Sequence, residues 1–447
     1  MGKLFGTDGV RGVANKDLTP ELAYEIGRAG GFVLTHGNRG KVVVGKDTRA
    51  SSDMLEAAIS AGLCSIGLDV IQVGIMPTPA VAYLTRRYNA LAGVVISASH
   101  NPYEYNGIKF FSSEGYKLPD EIEDEIEDIL LNNRSIELRP IKNSIGRIYY
   151  EKDAPRHYKE FLKEKIGIDL KGFKIAMDCG NGALYKIGPE IIRELNGEVI
   201  AINTEPDGTN INDNCGSTNP HLAQQLVLDT NADLGISFDG DGDRIIAIDE
   251  KGRIIDGDHL LAICGRFLKK QNCLNENTIV GTVMSNMGLE VFLSQNGMKL
   301  LRTPVGDRYI IEEMKRGNYV LGGEQSGHII FMDLNTTGDG LATGLQLLKI
   351  MIDEKEKAST LNDLVENFPQ VLINAKVKPE NKNKFLDFPE IQIAIKELEK
   401  KFSGTGRVLI RPSGTEPLVR VMIEGRDYDW IKKEAESLAL LIEDILL

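Results

Sequence analysis

The sequence predicts a multidomain α/β protein in which three related α/β domains, with mixed and mostly parallel sheets, precede a smaller C-terminal α+β domain. A strand, a polar turn, a helix, a glycine and a second strand follow one another three times along the chain, and the C-terminal segment has a different pattern. A chain of 447 residues is also too long for one hydrophobic core, which predicts three or four domains.

The first copy of this pattern begins with "KVVVGKDTR" (41–49), an apolar strand that ends in polar residues. A helical stretch follows, and Gly67 separates it from the strand "DVIQVG" (69–74). The second copy runs from "FKIAMDCGNGALY" (173–185) through "IGPEIIRELNG" to "EVIAIN", and the third from "TIVGTVMSN" (278–286) through "MGLEVFLSQNG" to "MKLLRTPVG". Their spacing of roughly 100 to 130 residues indicates internal duplication of a βαβ unit.

The C-terminal segment lacks the βαβ pattern. The stretch "RVLIRPSGTEPLVRVMIEG" (407–425) predicts two strands around a turn, and "DYDWIKKEAESLALLIEDILL" (427–447) predicts an amphipathic helix. An acidic helix, "PDEIEDEIEDILL" (119–131), and the loop that follows it mark the end of the first domain. We therefore place the four domains at residues 1–150, 151–253, 254–368 and 369–447.

The composition is that of an ordinary globular protein, with 42% apolar and 26% charged residues. A net charge of −13 argues against nucleic acid or an anionic membrane as a partner, and no apolar run is long enough to span a bilayer. The start "MGKLFGTDGVRG" has neither a signal-peptide pattern nor the hydroxyl residue of a myristoylation site. Five cysteines without a CxxC pair predict free thiols, so we expect a cytoplasmic protein.

Three aspartates spaced two residues apart, Asp239, Asp241 and Asp243, stand in the segment "ISFDGDGDRIIAIDE" (236–250). Neighbouring carboxylates repel one another, so a bound cation is the expected reason for this spacing. The spacing alone also fits an EF-hand calcium loop. The sixth position of that loop would be Arg244 where a glycine is needed, and the flanking segments predict strands instead of helices.

A magnesium loop at the end of a strand fits the same segment better. The glycines between the carboxylates let the backbone fold around a small ion, and hard oxygen ligands suit Mg²⁺. Three carboxylates leave coordination positions open for a phosphate oxygen or water. An acidic surface turn without a metal is the alternative, but three carboxylates that end a buried strand are costly without a counter-ion.

Ser99 lies in a second candidate loop. The apolar strand in "VVISASHNPYEYNGIKF" (94–110) ends in the small polar residues Ser97 and Ser99, at the strand end where α/β sheets bind their ligands. An Asn-Pro turn follows His100, and Lys109 lies on the next apolar stretch. An exposed hydroxyl with a cation nearby suits a serine that carries a phosphoryl group, and an Asn-Pro turn without a function is the alternative.

Two further loops combine glycines with polar residues. "LGGEQSGHIIF" (321–331) has a glutamate suited to sugar hydroxyls and a histidine suited to proton transfer, and a solvated Gly-rich turn is the alternative. "RPSGTEPLVR" (411–420) places the amides and hydroxyls of a tight turn between two arginines, which suits a phosphate, and a plain hairpin turn is the alternative. Arg244 adds a guanidinium beside the aspartates. Four such loops, one in each predicted domain, indicate a functional site more strongly than any one of them.

The motifs "GTDGVRG", "SASHNP", "DGDGDR", "GGEQSGH" and "RPSGTEPLVRVM" occur in this order along the chain. In these residues the chain resembles the α-D-phosphohexomutase superfamily over essentially its whole length, and within it the bacterial enzymes that act on glucosamine phosphates. The resemblance implies four domains around a central cleft, each of which supplies one loop to the active site. The five motifs show no departure from the family pattern.

The resemblance also implies a role for each site residue. Ser99 is the phosphoserine and, with Asp239, Asp241 and Asp243, binds one Mg²⁺ per subunit. The other residues expected at the transfer step are His100, Lys109, Arg11 and His328, and which of Lys109, His328 and Arg11 relays the proton stays open. The residues expected to bind the substrate are Arg244, Glu324, Gln325, Ser326, Arg411, Ser413, Gly414, Thr415 and Arg420.

The reaction that the resemblance implies is the interconversion of glucosamine 6-phosphate and glucosamine 1-phosphate, which feeds UDP-N-acetylglucosamine synthesis. The phosphorylated serine donates to the substrate, a 1,6-bisphosphate forms and reorients, and its other phosphate returns to the serine. A hexosamine or hexose 1,6-bisphosphate is then the expected activator. Phosphate monoesters are extremely inert, so catalysis must come from positioning and from cations on the transferring oxygens.

The glucosamine preference rests on Gln325 and the "GTDGVRG" opening, and a glucose or mannose phosphate mutase is the alternative. A serine-dependent metal phosphatase would use the same serine and metal but would not need the second phosphate site. A non-catalytic calcium-binding or phosphosugar-binding protein would not need the Ser-His turn. A mutase moves phosphate without releasing it, a phosphatase releases it, and a binding protein does neither. The sequence leaves the choice between a monomer and a homodimer open.

Overall fold

A computed structural model of the chain describes residues 4–6, 8–132, 134, 136–402, 404–413 and 417–447. These residues form two compact units. The first unit comprises the chain up to Thr282 together with Leu301–Leu364, and the second comprises Val283–Leu300 and Val365–Leu447. Among the described helices, none combines the length and the apolar character that crossing a membrane requires.

The N-terminal sheet belongs to the first unit. Its strands are β1 (Phe5–Gly6), β2 (Gly9–Val13), β3 (Lys41–Lys46), β4 (Asp69–Ile75), β5 (Ala92–Ile96), β6 (Tyr105–Ser112) and β7 (Ile148–Tyr150), and its helices are α1 (Pro20–Thr35), α2 (Ser52–Ser65), α3 (Thr78–Arg87) and α4 (Asp120–Leu131). The strand order is β1-β2-β6-β5-β3-β4-β7. Strands β5, β3, β4 and β7 run parallel, as the βαβ pattern predicted, whereas β1, β2 and β6 add antiparallel pairs at the other edge.

The second sheet of the first unit carries the aspartate segment. Its strands are β8 (Lys174–Asp178), β9 (Glu198–Ile202), β10 (Leu234–Phe238), β11 (Ile245–Asp249) and β12 (Ile254–Ile255), and its helices are α5 (Ala154–Ile166), α6 (Ile187–Glu194) and α7 (His221–Thr230). The order is β12-β11-β10-β8-β9. Strand β8 is parallel to both β9 and β10, whereas β11 is antiparallel to both β10 and β12. Strands flank the aspartates on both sides, and an EF-hand needs helices there.

The third sheet has the strands β13 (Thr278–Thr282), β14 (Lys299–Thr303), β15 (Leu321–Gly323) and β16 (Ile329–Phe331) in the order β14-β13-β15-β16. The helices in this part of the sequence are α8 (Gly257–Lys270), α9 (Met287–Gln295), α10 (Asp307–Gly317), α11 (Gly340–Glu354) and α12 (Ala358–Asn362). Helix α9 follows β13, as the third copy of the pattern predicted, but it belongs to the second compact unit.

The C-terminal part of the second unit is the predicted α+β structure. Its strands are β17 (Gln370–Lys376), β18 (Gly406–Pro412) and β19 (Leu418–Gly425), all antiparallel in the order β17-β19-β18, and its helices are α13 (Pro389–Phe402) and α14 (Tyr428–Leu446). Helix α14 begins after Asp427, whose side chain accepts from the N–H of Trp430. Its apolar face, which includes Ile431 and Ile442, packs in a core with Phe402. The predicted hairpin and amphipathic helix are therefore present.

The strands that lead to the candidate site are buried on both faces. Every residue of β5 and of β10 is buried. Strands covered on both faces have continuous apolar sequences instead of alternating ones, and this explains the apolar runs before Ser97 and Asp239. The point where each run turns polar is the end of the strand.

Candidate active site

Ser99 follows strand β5 in a turn whose backbone is unusual for serine. Its φ of 52° lies in the left-handed region, which costs a non-glycine residue on the order of 1–3 kcal/mol. The residue is 1% exposed, and its Oγ donates to Asp239 Oδ2 over 2.6 Å. The Nδ1 atom of His100 lies 3.4 Å from the same oxygen. The serine and the first aspartate are thus in direct contact although 140 positions separate them.

The three aspartates form a buried cluster. One carboxylate oxygen from each of Asp239, Asp241 and Asp243 lies within 4.8 Å of the other two. The Oδ1 atoms of Asp241 and Asp243 are buried without a hydrogen-bond partner among the described residues. Buried carboxylate oxygens without partners are costly, and three carboxylates separated by glycines form a donor set that suits Mg²⁺. The cluster therefore fits a divalent cation.

The electrostatics of the cluster support the same conclusion. Burial, and then the charges of Asp243 and Asp241, raise the pKa of Asp239 well above its usual range. Burial also opposes the ionisation of Asp243, but His328, Lys109 and Arg244 outweigh it and lower the pKa of this carboxyl. Carboxylates this close repel one another, and a bound cation relieves this repulsion.

Two cationic side chains from the N-terminal sheet reach this region. Lys109 on β6 is 2% exposed, and its Nζ lies 2.9 Å from Asp241 Oδ2 and 2.8 Å from Asp8 Oδ2. Burial opposes the charge of Lys109, but these two carboxylates outweigh it and raise its pKa, so the side chain remains an ammonium ion. Arg11 on β2 pairs with Asp8, and its Nη1 donates to Ala98 O over 3.4 Å, next to the serine turn.

Arg244 links the aspartate segment to the serine turn. Its backbone N–H donates to Asp239 Oδ1 over 3.1 Å, and its Nη1 lies 3.1 Å from His100 Nδ1. Burial, followed by the charges of Arg244 and Arg11, lowers the pKa of His100 to about 4. His100 is therefore neutral near pH 7, and its Nδ1 accepts the hydrogen bond from the Arg244 guanidinium.

His328 reaches the aspartates from the third sheet. It stands immediately before β16, is 2% exposed, and places Nδ1 3.5 Å from Asp243 Oδ2. Its Nε2 lies 3.5 Å from Asp307 Oδ2 and accepts from the backbone N–H of Gly338 over 3.1 Å. The histidine of the predicted third loop is therefore in contact with Asp243, one of the predicted metal ligands.

The other predicted residues of that loop are more accessible. Ser326 is exposed, while Glu324 and Gln325 are half-buried. The Oγ of Ser326 donates to Glu324 Oε2 over 3.4 Å, and Nε2 of Gln325 donates to Asp256 Oδ2 over 3.3 Å. These polar groups can reach a ligand from the loop surface.

The fourth predicted loop lies in the second unit. Arg411 on β18 and Arg420 on β19 are direct partners in the strand register. Burial, and then the charge of Arg420, lower the pKa of Arg411. Like charges that face each other on neighbouring strands repel, and a bound anion relieves this repulsion. Ser413 is 2% exposed at the end of β18, and its N–H donates to Leu418 O over 2.8 Å. The predicted residues Gly414 and Thr415 lie outside the described residues.

Sequence reasoning missed three charged residues that connect the site. Lys117 contacts both Asp8 and Asp307, while Asp8 also contacts Lys109 and Asp307 also contacts His328. Asp8 stands inside the motif "GTDGVRG", which was a usable signal. Lys117 and Asp307 belong to no motif that we singled out, and only the fold brings them together.

Comparison with known proteins agrees with this arrangement. The chain matches the models of four domains of the phosphoglucomutase/phosphomannomutase family, in the order of the sequence. Residues 2–137 match alpha/beta/alpha domain I, 156–252 match alpha/beta/alpha domain II, 256–371 match alpha/beta/alpha domain III and 372–441 match the C-terminal domain. A curated phosphoglucosamine mutase from Alkaliphilus oremlandii is 57% identical over 448 residues, and the match covers 100% of both chains.

Solved structures show the same fold. A phosphoglucomutase/phosphomannomutase family protein from Burkholderia thailandensis has a TM-score of 0.83 at 24% identity, covering 100% of this chain and 99% of that one. The Aspergillus fumigatus N-acetylphosphoglucosamine mutase, solved in complex with GlcNAc-6P and magnesium, has a TM-score of 0.71 at 17% identity, covering 99% and 96%. Because the domain matches follow one another along the chain and the bacterial relative matches it from end to end, the chain belongs to the phosphoglucomutase/phosphomannomutase family, the α-D-phosphohexomutases that its motifs resemble.

Proposed function

We propose that the protein interconverts glucosamine 6-phosphate and glucosamine 1-phosphate through phosphorylated Ser99 and a 1,6-bisphosphate intermediate. The observation that carries this proposal is the 2.6 Å contact of Ser99 Oγ with Asp239 in a cluster of three carboxylates. A hydroxyl at a divalent-cation site with cationic side chains beside it is what phosphoryl transfer requires. The choice of glucosamine follows the name of the Alkaliphilus oremlandii relative.

We propose that Asp239, Asp241, Asp243 and phosphorylated Ser99 hold one Mg²⁺ per subunit. When bound, Mg²⁺ supplies positive charge that stabilises the transferring phosphoryl group. Lys109 adds a second positive charge from the protein, since its carboxylate neighbours keep it an ammonium ion. His100 remains neutral and holds the Arg244 guanidinium beside the serine.

The transfer has two balanced halves. In the first, the bond between Ser99 Oγ and phosphorus breaks while the free hydroxyl of the sugar phosphate bonds to phosphorus, and the hydroxyl proton passes through a protein group to the serine oxygen. In the second, after the bisphosphate has reoriented, Ser99 Oγ bonds to the other phosphorus while the bond from that phosphorus to its sugar oxygen breaks, and the serine proton passes through a protein group to this sugar oxygen. No phosphate is released, which separates this reaction from that of a phosphatase.

The three candidates for the proton relay differ in chemistry. A guanidinium such as that of Arg11 does not release its proton in proteins, and Lys109 is held as an ammonium ion by Asp241 and Asp8. Imidazole is the group whose charge changes near neutral pH. Burial opposes the charge of His328, but Asp243 and Asp307 outweigh it and raise the pKa of this imidazole from an ordinary value that already lies near neutral pH. We therefore favour His328, whose Nδ1 lies 3.5 Å from Asp243 Oδ2.

We propose two groups of substrate contacts. The first, for the sugar, comprises Glu324, Gln325 and Ser326; because Nε2 of Gln325 donates to Asp256, its carbonyl oxygen suits a sugar amino group. The second, for the non-reacting phosphate, comprises Arg411, Ser413, Gly414, Thr415 and Arg420. The repulsion between the facing arginines supports an anion there, and a guanidinium binds phosphate whichever carbon bears it.

A cytoplasmic location belongs to the same proposal. All five cysteines are free, and Cys179, Cys215 and Cys264 are buried. Free thiols suit a reducing compartment, and phosphorylated sugars are substrates of intracellular metabolism.

A coupled assay tests the proposal. The 1-phosphates of glucosamine, glucose and mannose are compared with a 1,6-bisphosphate activator present, and inorganic phosphate is measured in the same samples. We expect the highest kcat/KM for glucosamine 1-phosphate and no release of phosphate. Faster conversion of glucose or mannose phosphate would support the alternative mutase, and stoichiometric release of phosphate would support a phosphatase.

A further inference from the structure

Arg49 stands at the polar end of the first βαβ copy, and the proposed mechanism gives it no role. The residue is 2% exposed. Burying a guanidinium is costly unless its donors are paired. Here Nε donates to Asp47 Oδ2 over 2.8 Å, and Nη1 and Nη2 donate to four backbone carbonyls.

All four carbonyls belong to the segment that runs from Ser99, the reacting serine, to Tyr105 at the start of β6. Nη2 donates to Ser99 O and to Asn101 O, both over 2.9 Å. Nη1 donates to Tyr105 O over 2.9 Å and to Pro102 O. One planar side chain therefore connects both ends of the segment from residue 99 to residue 105.

A second chain of hydrogen bonds holds the amide side of Ser99. The backbone N–H of Ser99 donates to Ser97 Oγ over 2.9 Å, and Ser97 Oγ donates to Asp47 Oδ2 over 2.6 Å. Arg49 Nε donates to the same Asp47 oxygen. Both the amide and the carbonyl of Ser99 are thus tied to the pair formed by Arg49 and Asp47.

These hydrogen bonds hold the backbone of Ser99 in a conformation that serine does not prefer. Ser99 has a φ of 52°, and L-residues other than glycine are unfavourable in this region because Cβ approaches the following carbonyl. A turn without these bonds would relax toward negative φ and swing Oγ away from Asp239.

We propose that Arg49 is a positioning residue that holds Ser99 in the left-handed conformation and so directs its Oγ at the aspartate cluster. This inference rests on the proposed function, since it assigns Arg49 to the transfer that Ser99 performs. Arg49 acts through the backbone of the turn and not by contact with the sugar. Asn212 Nδ2 also donates to Ser99 O, over 2.9 Å, so loss of Arg49 loosens the turn without releasing that carbonyl completely.

The test is the substitution Arg49→Gln in the full-length protein. A displacement of about 1 Å at a reacting group costs about 100-fold in rate, so we expect kcat to fall about 100-fold. KM for glucosamine 1-phosphate should change less than about threefold, because ground-state binding of the sugar does not involve Arg49. Arg49→Lys keeps the charge and part of the donor set and should recover part of kcat.

Arg28→Gln is the matched control. Arg28 is 5% exposed and donates to Ile136 O over 3.1 Å, so it is another buried arginine on a backbone carbonyl, but it does not bond to the serine turn. Its loss should lower Tm to a similar extent as Arg49→Gln and leave kcat near wild type. Equal losses of kcat in the two variants, or a wild-type kcat for Arg49→Gln, would overturn the proposal.

Ser97→Ala tests the same turn if Arg49→Gln does not fold. It removes the acceptor of the Ser99 N–H, so kcat should fall more than about tenfold at nearly constant KM, and an unchanged kcat would overturn the proposal.

Failure of the proposed function is read separately, from wild-type protein that does not convert glucosamine phosphates. Phosphorylation of Ser99 by glucose 1,6-bisphosphate, followed by intact mass, then still compares Arg49→Gln with wild type. Equal rates, or no phosphorylation of the wild type, would overturn the role of Arg49.

Discussion

Ser99 is the residue on which the proposed reaction depends. Its hydroxyl donates to Asp239, and its backbone has a positive φ, which is unfavourable for serine. We expect part of the purified protein to carry phosphate on Ser99, because the cycle starts from a phosphorylated serine. Peptide mass spectrometry of protein prepared without phosphatase should locate the phosphate there. Ser99→Ala should lower kcat by more than about 10³-fold, as loss of a nucleophile does. Phosphate found only at other residues, together with an active Ser99→Ala variant, would contradict this prediction.

His100 gives a pH dependence of stability. Its pKa is lowered to about 4 in the folded protein, mainly by burial and then by Arg244 and Arg11, and it returns to about 6.5 on unfolding. Between these values the unfolded chain binds more protons, so the free energy of unfolding should fall as the pH drops from 6.5 toward 4, by up to about 1.4 kcal/mol per pH unit.

His100→Gln should remove this part of the pH slope. Urea unfolding of the dephosphorylated protein in chelator at pH 7 and pH 5 measures it, with His221→Gln as control because His221 is exposed. If wild type and His100→Gln lost equal stability between the two pH values, His100 would not be the titrating group.

The turn between β10 and β11 is the element on which the metal proposal depends. Asp241→Asn keeps the shape of the side chain and removes a charge that a divalent cation needs, so we expect activity to fall at least about 100-fold with little change in Tm. Calorimetric titration should show weaker Mg²⁺ binding. Ca²⁺ should bind wild type but support transfer poorly, because it is larger and looser in geometry.

Asp229→Asn is the control for the aspartate turn. Asp229 is an exposed carboxylate on α7, in the same part of the chain, and it accepts from Gln225. This variant should keep wild-type activity and Mg²⁺ affinity. Full activity of wild type in excess chelator would rule out a metal requirement.

The β18–β19 pair is the element that separates a mutase from a phosphatase. A charge-assisted hydrogen bond contributes roughly 1.5–3 kcal/mol, so Arg420→Ala should cost about tenfold to 100-fold in kcat/KM. The loss should be similar for the 1-phosphate and the 6-phosphate, because both are expected to use one phosphate site. The variant should also depend more on added bisphosphate, since the intermediate would escape more often. A loss confined to one substrate, or no loss, would refute a shared phosphate site.

Thiol accessibility tests the folding of the whole molecule. Cys273 is exposed, whereas Cys64 is half-buried, and burial followed by the charge of Asp69 raises its pKa to about 11. Cys179, Cys215 and Cys264 are buried. Because the thiolate is the reactive form, a disulfide reagent should modify Cys273 rapidly, Cys64 slowly and the other three only on unfolding. Cys273→Ser should remove the rapid phase, and rapid reaction of a buried cysteine in native protein would contradict the described packing.

The order of strands across the molecule shows where sequence reasoning reached its limit. The three βαβ copies and the C-terminal hairpin were predictable because periodicity and turn residues act within a few positions. The antiparallel edge β1-β2-β6 was not predicted, since it requires β2 to pair with β6, and these two strands lie far apart in the chain. The assignment of α9 to the second compact unit was equally outside the reach of local pattern.

The sequence by itself determined which side chains carry the chemistry: a serine at the end of a buried strand, three aspartates separated by glycines, and two arginines around a turn. Such features are local, because a strand end and a tight turn are set by neighbouring residues. Only the tertiary structure decided which of them meet, as Ser99 meets Asp239 across 140 positions and Lys117 meets Asp8 across 109. It also decided the role of Arg49, whose donors reach carbonyls at least 50 positions away. Contacts of this kind depend on strand order and register, which hydrophobic periodicity does not encode.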